Sequence, residues 1–170
     1  MNAIEAFSSV YQAFEQSAAV YGAEPFLRVP AISAAAYAKT AVEYSYDDTS
    51  AKVVELIKAY NVLGLEPGAR VALAYDCRLD VYLHLLALNA LSVSIVPLNS
   101  GATDNELSHI IKHSDCQLIV SLPDHRKRLA ALNLCEVRTE NDLPAGSDGR
   151  PLESTSLSDE AALLYTSGTT

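Results

Sequence analysis

The residues best suited to chemistry are the last five of the sequence. They are Thr166, Ser167, Gly168, Thr169 and Thr170. The apolar run before them, Ala161 to Tyr165, predicts a strand that leads into a loop. Hydroxyl groups donate hydrogen bonds without adding charge, the glycine allows a ligand to approach closely, and consecutive backbone N–H groups can form a nest for an anion. Phosphate oxygens suit this arrangement, although an ordinary Ser/Thr-rich turn has the same composition.

Three better-known loop motifs are excluded because their sequence signatures are absent. The chain contains no G-x-x-x-x-G-K-[ST] of a Walker A loop and no G-x-G-x-x-G of a dinucleotide site. It also lacks the G-x-S-x-G that would make Ser167 a hydrolase nucleophile.

Several other polar residues are candidates for a functional site. His109 and His113 have the i, i+4 spacing of a metal-binding pair, but only Asp104 or Glu106 could add a ligand, so solvated or capping histidines are favoured. His84 lies on an apolar helix and is expected to be a core histidine with its hydrogen bonds satisfied.

A second group follows predicted strand ends. Tyr75, Asp76 and Arg78 could approach a ligand, but a loop in which Asp76 caps the next helix is the favoured interpretation. Asn99, two residues after Pro97, is expected to form a turn.

The first 46 residues predict a helix and a hairpin. Apolar residues at helical spacing indicate a helix from Ala3 to Tyr21. Phe26 to Val29 is expected to pair with Ala41 to Tyr46, and the Ala-rich stretch between them fits either a helical turn or a loose excursion.

From residue 47 to 138 the pattern alternates between helices and strands. The predicted helices are Ala51–Leu63 (capped by Asp48, Thr49 or Ser50 and ended by Gly64), Leu79–Ala90, a helix capped by Thr103 with Glu106 in a capping box, and Pro123–Leu132. The predicted strands are Arg70–Tyr75, Ser92–Asn99 (ended by Pro97), Gln117–Ser121 and an edge strand Cys135–Thr139. A surface loop fills residues 139–160, and a strand with its loop fills 161–170. This alternation predicts a doubly wound, mainly parallel α/β sheet with helices on both faces, whose ligands gather beyond the carboxyl ends of the strands.

Composition narrows the class of protein. The 170 residues are 49% hydrophobic and 19% charged, as in an ordinary globular domain. The net charge of −9 disfavours nucleic-acid binding, and the basic stretch Asp124–Leu129 is expected to be a solvated helix face. No basic leader or membrane-spanning apolar run is visible, so a cytoplasmic protein is expected. Cys77, Cys116 and Cys135 are expected to be free thiols of a reduced compartment.

The stretch "LLYTSGTT" resembles the phosphate-loop signature of the adenylate-forming superfamily, which includes acyl-CoA synthetases. In that family the loop continues into a Gly and a Lys. The stretch from Tyr44 to Ser121 is similar to the family's opening, with "LGLEPGARVA" and "VPLN" at corresponding places. Two features depart from the family: Leu91 and Ser92 replace a small Ala-Gly pair, which is expected to change packing more than chemistry, and the Ala31–Thr40 stretch is longer.

The resemblance implies an ATP-dependent carboxylate-activating ligase of the AMP-binding type. Such enzymes use ATP and Mg²⁺ to join a small-molecule carboxylic acid to AMP and then transfer the acyl group to a thiol, often that of coenzyme A. Thr166 to Thr170 would hold the β and γ phosphates of ATP. The family's catalytic lysine and its nucleotide and acyl pockets come later in its sequence, which implies no catalytic residue and no metal ligand here.

The resemblance therefore implies an N-terminal fragment of an acyl-CoA synthetase that is inactive by itself. Fatty acid metabolism is one pathway in which the full-length enzyme is expected to act. Its cut edge around Leu163, Leu164 and Tyr165 is expected to lack partners and to self-associate, with Thr166–Thr170 poorly ordered without phosphate. Two alternatives remain open: a free-standing α/β binding or interaction module with a phosphate-binding loop, and an adenylation domain for an amino acid or aryl acid.

Overall fold

Four parallel strands form the centre of the fold. The computed structural model describes residues 7–76, 78–146 and 159–166. In chain order the elements are α1 (Val10–Tyr21), β1 (Pro25–Val29), α2 (Ala31–Ala34), β2 (Val42–Ser45), α3 (Tyr46–Val62), β3 (Arg70–Ala74), α4 (Asp80–Asn89), β4 (Ser94–Pro97), α5 (Asp104–His113), β5 (Leu118–Ser121), α6 (Pro123–Ala131) and β6 (Glu136–Thr139). The parallel strands lie in the order β4-β3-β5-β6, while β1 and β2 form a separate antiparallel pair.

Helices cover both faces of the parallel sheet, as the alternating pattern predicts. Side chains on a strand alternate between faces, so Val71 and Leu73 of β3 pack on one side and Ala72 and Ala74 on the other. The first side receives α3 and α4, and the second receives α5 and α6. The predicted doubly wound architecture is therefore confirmed, with β6 at one edge of the described strands.

The N-terminal hairpin is also confirmed, and helical aromatic residues hold it in place. Phe14 of α1 lies 5.1 Å from Phe26 of β1, and Tyr46 lies 4.5 Å from Phe26, both measured between ring centroids. Of the two options for the Ala-rich stretch, the structure shows a helical turn, α2. The predicted helix from Ala3 begins only at Val10, because Ser9 caps it by accepting a hydrogen bond from the Gln12 amide; residues 1–6 lie outside the described residues.

The start of α3 was predicted wrongly. Neither Asp48, Thr49 nor Ser50 is its cap, because Ser45 caps the helix, which begins at Tyr46, five residues before the predicted first residue. The Ser45 hydroxyl accepts from the Asp48 amide at 3.0 Å, and the Asp48 carboxylate accepts from the Ser45 amide at 3.1 Å. Asp48 is thus the third residue of a capping box. Gly64 does end the helix region, with φ of 66°.

The predicted last strand is reduced to a single bridge. Ala162 forms one parallel bridge with Ile95 of β4, and the remaining described residues after residue 158 adopt no regular strand. No helix among the described residues has the length and apolar character needed to cross a membrane.

Candidate functional site

The start of the predicted phosphate loop lies beyond the carboxyl end of β4. The Ile95 amide donates to the Ala161 carbonyl at 3.1 Å, and the Leu163 amide donates to the Ile95 carbonyl at 2.8 Å. Because this pairing is parallel, the chain leaves it in the direction in which β4 ends. Thr166 is thereby carried to the edge of the sheet where α/β proteins bind their ligands.

Thr166 is exposed and borders a surface cavity of about 500 Å³. The cavity is also lined by Tyr165, two residues of the loop after β4, and one face of α5; these are Asn99, Ala102, Asn105, Glu106, His109 and Ile110. The other four predicted loop residues, Ser167, Gly168, Thr169 and Thr170, lie outside the described residues. Phosphate binding by these five residues stays a prediction.

His113 on α5 anchors the residue that precedes Thr166. Its Nδ1 lies 2.7 Å from the Tyr165 hydroxyl, and the two rings meet edge to face. His109 stacks on His113 with ring centroids 5.6 Å apart. Both histidines are exposed, as the favoured interpretation of solvated residues expects, and His113 lies in the last turn of α5; its contact with Tyr165 was not predicted. Within the described residues, no group of three or more His, Cys, Asp or Glu side chains could hold a metal ion.

Apolar packing supports the same anchor. Leu163 and Tyr165 pack against the core cluster beneath α5 and α6, whereas Leu164 is 69% exposed. The expectation that all three side chains lack partners is therefore wrong for Leu163 and Tyr165, because residues 163 and 165 point to the same side of the extended chain.

The Glu106 carboxylate lies at the rim of the cavity and at the start of α5. It accepts hydrogen bonds from the Thr103 amide and the Thr103 hydroxyl, both at 2.7 Å. These hydrogen bonds, the one from the amide first, lower the pKa of Glu106. The predicted capping box is confirmed, and it fixes the first turn of the helix that lines the cavity.

Asp76 does not cap α4, contrary to the prediction. No side chain of the described residues caps that helix, and its N-terminal flanking residue is Leu79. The Asp76 carboxylate instead accepts hydrogen bonds from the Ser100 hydroxyl and from His125 Nε2, the latter at 2.9 Å. Partial burial opposes ionisation, but the hydrogen bonds from Ser100 and His125 outweigh it and lower the pKa of Asp76.

Asn99 forms the expected turn after β4. Its Oδ1 accepts from the Gly101 amide at 2.9 Å, and its carbonyl accepts from the Ala102 amide at 3.0 Å. Sequence reasoning missed the residue that holds this turn from outside, Arg128 of α6. The predicted solvated basic face is wrong at Arg128, which binds the Ser100 and Ala102 carbonyls and the Asp104 carboxylate.

His84 is buried, as expected, but only one of its ring nitrogens is paired. Nδ1 lies 2.8 Å from the Tyr60 hydroxyl, whereas Nε2 has no hydrogen-bond partner among the described residues. Burial lowers the pKa of His84 to about 3, so the ring is neutral. The prediction of a satisfied core histidine is therefore half right.

Ser92 and the described cysteines lie away from the cavity. Ser92, which stands where the resembled family has glycine, takes a left-handed backbone with φ of 57°. Cys116 is buried and Cys135 half-buried, both as free thiols, and Cys77 lies outside the described residues. Burial raises the pKa of both thiols, that of Cys135 to about 11, which keeps them protonated and unreactive.

The sheet, its flanking helices and the cavity at its carboxyl edge define a doubly wound α/β protein. The chain belongs to the AMP-binding enzyme family, whose model matches residues 14–170. Feruloyl-CoA synthase from Amycolatopsis sp is 30% identical over 144 residues, which are 83% of this chain and 29% of that protein. Enterobactin synthase component F from Escherichia coli O157:H7 is 28% identical over 145 residues, which are 83% of this chain and 10% of that protein.

Solved structures show the same fold. The N-terminal domain of FACL13 from Mycobacterium tuberculosis matches with a TM-score of 0.80 at 18% identity, covering 96% of this chain and 42% of that one. The chain spans less than a third of the length of the two curated relatives.

Proposed function

We propose that these 170 residues form the N-terminal part of an ATP-dependent ligase that activates a carboxylic acid as its acyl-AMP. The observation that carries the proposal is the position of Tyr165 and Thr166. Both residues lie within the stretch that resembles a phosphate loop, and both border a cavity at the carboxyl edge of the parallel sheet. Membership of the AMP-binding enzyme family supports the same reaction class.

The chemistry asked of the loop is binding and charge stabilisation. Transfer of an adenylyl group needs the phosphates to be positioned and their charge to be stabilised more than it needs covalent help from the protein. The hydroxyl groups of Thr166, Ser167, Thr169 and Thr170, with the backbone amides of the loop, would hold the β and γ phosphates. The carboxylate substrate would then attack the α phosphorus and displace pyrophosphate.

The exposed residue Thr166 and a cavity of about 500 Å³ fit a phosphate-bearing ligand. Mg²⁺ would neutralise phosphate charge when bound. The described residues present no cluster of acidic or histidine ligands for it, so the proposal assigns the cation no ligand in this part of the chain.

Coenzyme A is the proposed acyl acceptor. The Pro97-Leu98-Asn99 turn, which resembles the acyl-CoA synthetase branch, and the similarity to a feruloyl-CoA synthase support this choice. Transfer to a carrier-protein thiol, as an adenylation domain would perform, is the competing outcome. The experiment below tests which carboxylic acid is activated, and a fatty acid is one of the candidates.

The proposal is tested by product analysis of the complete protein. Incubation with ATP, Mg²⁺ and a panel of fatty, aryl and amino acids should release AMP and pyrophosphate with one class of acid. Added coenzyme A should then yield a thioester detectable by mass spectrometry. Release of ADP and phosphate, or no acid-dependent turnover, would contradict the proposal. Transfer of the acyl group from acyl-AMP only to a carrier protein would show that a carrier-protein thiol is the acceptor in place of coenzyme A.

The 170 residues alone are proposed to be inactive. A phosphate nest without contacts to adenine or ribose buries little of ATP, so calorimetry should show affinity weaker than about the micromolar range. Micromolar or tighter binding by the isolated chain would favour the free-standing binding module instead.

A further inference from the structure

We propose that Arg128 is a positioning residue that fixes one wall of the ligand cavity at Thr166. This inference rests on the proposed function, because the cavity is the site at which that function places ATP. The wall is the loop of residues 99–103, which joins β4 to α5 and contributes Asn99 and Ala102 to the cavity lining.

Arg128 reaches this loop from the neighbouring helix α6. Its Nη1 donates to the Ser100 carbonyl at 2.6 Å and its Nη2 to the Ala102 carbonyl at 2.5 Å. Its Nε donates to the Asp104 carboxylate at 2.7 Å. One planar guanidinium therefore binds two loop carbonyls and the first residue of α5, so that the loop cannot shift without breaking hydrogen bonds.

The same helix ties the loop at a second point. His125, one turn before Arg128, donates from Nε2 to the Asp76 carboxylate, which also accepts from the Ser100 hydroxyl. Asp76 has φ of 53° and lies two residues after the end of β3. The loop is thus held between the carboxyl end of β3 and the face of α6.

An ordinary surface ion pair would not have this geometry. The pairing of Arg128 with Asp104 alone, at side-chain exposures of 40% and 62%, would contribute little to stability. The two bonds to backbone carbonyls are what confine the loop. A lysine at position 128 would keep the charge but could not supply three donors in one fixed plane.

A matched control stands on the same helix. Arg126 is 54% exposed and lies 3.5 Å from the Asp142 carboxylate, away from the loop. Arg126→Gln removes the same charge from α6 as Arg128→Gln does, so a difference between the two variants isolates the contacts with the loop.

The experiment compares Arg128→Gln, Arg128→Lys and Arg126→Gln in the complete protein by two measurements. Hydrogen exchange of the Gly101 and Ala102 amides should become about tenfold faster in both Arg128 variants and stay unchanged in Arg126→Gln. The KM for ATP should rise about tenfold in both Arg128 variants with a smaller change in kcat, because the altered loop weakens binding before chemistry.

The two measurements separate the inference from the proposed function. Unchanged exchange at Gly101 and Ala102, or equal kinetic effects of Arg128→Gln and Arg126→Gln, would overturn the positioning role. If Arg128→Gln fails to fold, Arg128→Lys decides the same question, because it keeps the charge and most of the stem. Absence of acid-dependent adenylation in the unaltered protein would overturn the proposed function, while faster loop exchange in the Arg128 variants would still show the restraint on the loop.

Discussion

The Nδ1 atom of His113 lies 2.7 Å from the hydroxyl of Tyr165, a residue 52 positions later in the chain. This contact joins α5 to the segment that leads into the predicted phosphate loop. Together with the pairing of Leu163 and Ile95, it fixes where that loop begins. The placement of Thr166 therefore depends on a side chain from a helix that belongs to a different part of the sequence.

The hydrogen bond between His113 and Tyr165 should be measurable by a double-mutant cycle. Tyr165→Phe and His113→Gln should each lower the free energy of unfolding by about 1 kcal/mol or less, and the double variant should cost less than their sum. His109→Gln combined with Tyr165→Phe is the control and should be additive, since the hydrogen bond is to His113. Additive costs in the His113 and Tyr165 cycle would show that the hydrogen bond contributes nothing. Urea unfolding gives all of these values.

Ser92→Gly should stabilise the chain. Ser92 is buried with φ of 57°, where a side chain costs about 1–2 kcal/mol that glycine avoids. The greater freedom of glycine in the unfolded chain removes about 0.4–1 kcal/mol of that gain, which leaves a net increase of about 0.5 kcal/mol.

The control is Ala90→Gly, two residues earlier, where φ is −60° and glycine brings no relief. Ala90→Gly should lower the denaturant midpoint and Ser92→Gly should raise it. Destabilisation by both substitutions would mean that Ser92 is not strained.

Stability should fall as the pH decreases from 7 to 5 because of His84. The pKa of this buried histidine is depressed to about 3 in the folded chain, compared with about 6.5 when unfolded. Between these values the unfolded chain binds the extra proton, so the stability present above pH 6.5 is lost as the pH falls toward 3. Between pH 7 and pH 5 this proton linkage lowers the free energy of unfolding by about 2 kcal/mol.

The carboxylates with lowered pKa values, such as Asp76 and Glu160, lose their stabilising contribution only at lower pH. Glu140 acts in the opposite direction, because burial raises its pKa. His84→Gln should therefore flatten the profile between pH 7 and 5. An unaltered slope in His84→Gln would assign the pH dependence to other groups.

Self-association through the edge around residues 163–165 remains a prediction, and Leu164 is the residue expected to contribute most to it. Leu164 is 69% exposed, whereas Leu163 and Tyr165 pack against the core. Exposed apolar surface of this kind favours association. Leu164→Lys should sediment as a monomer at concentrations where the original 170 residues associate. If both the original 170 residues and the Leu164→Lys variant sediment as monomers at high concentration, the prediction is contradicted.

The parts of the fold that local sequence signals determine were predictable. The capping box of Thr103 and Glu106 and the buried strand at Arg70–Ala74 depend on residues close together in the chain. The start of α3 was missed because Asp48 is a good cap by type, and only the geometry shows that it serves Ser45 instead. The local sequence allows a helix capped by Ser45 as well as one capped by Asp48, and the pattern alone could not decide between the two.

The contacts of the candidate site were not predictable for a different reason. Arg128 lies 24 or more residues from its partners, and the basic stretch around it is typical of a solvated helix face. Asp76 was misassigned in the same way, because its partner His125 lies 49 residues later. Such pairs depend on which helix crosses which strand end, and this follows from the fold as a whole.

The activity of the complete protein is tested by carboxylate-dependent exchange of labelled pyrophosphate into ATP. We expect exchange only when the correct carboxylic acid is present, since exchange requires a reversible acyl-AMP. Replacing the Thr166 hydroxyl with a methyl group in Thr166→Val should slow exchange about tenfold through the loss of one hydrogen bond to a charged phosphate. No exchange with any acid, or full exchange in Thr166→Val, would contradict the assignment of this loop to the phosphates of ATP.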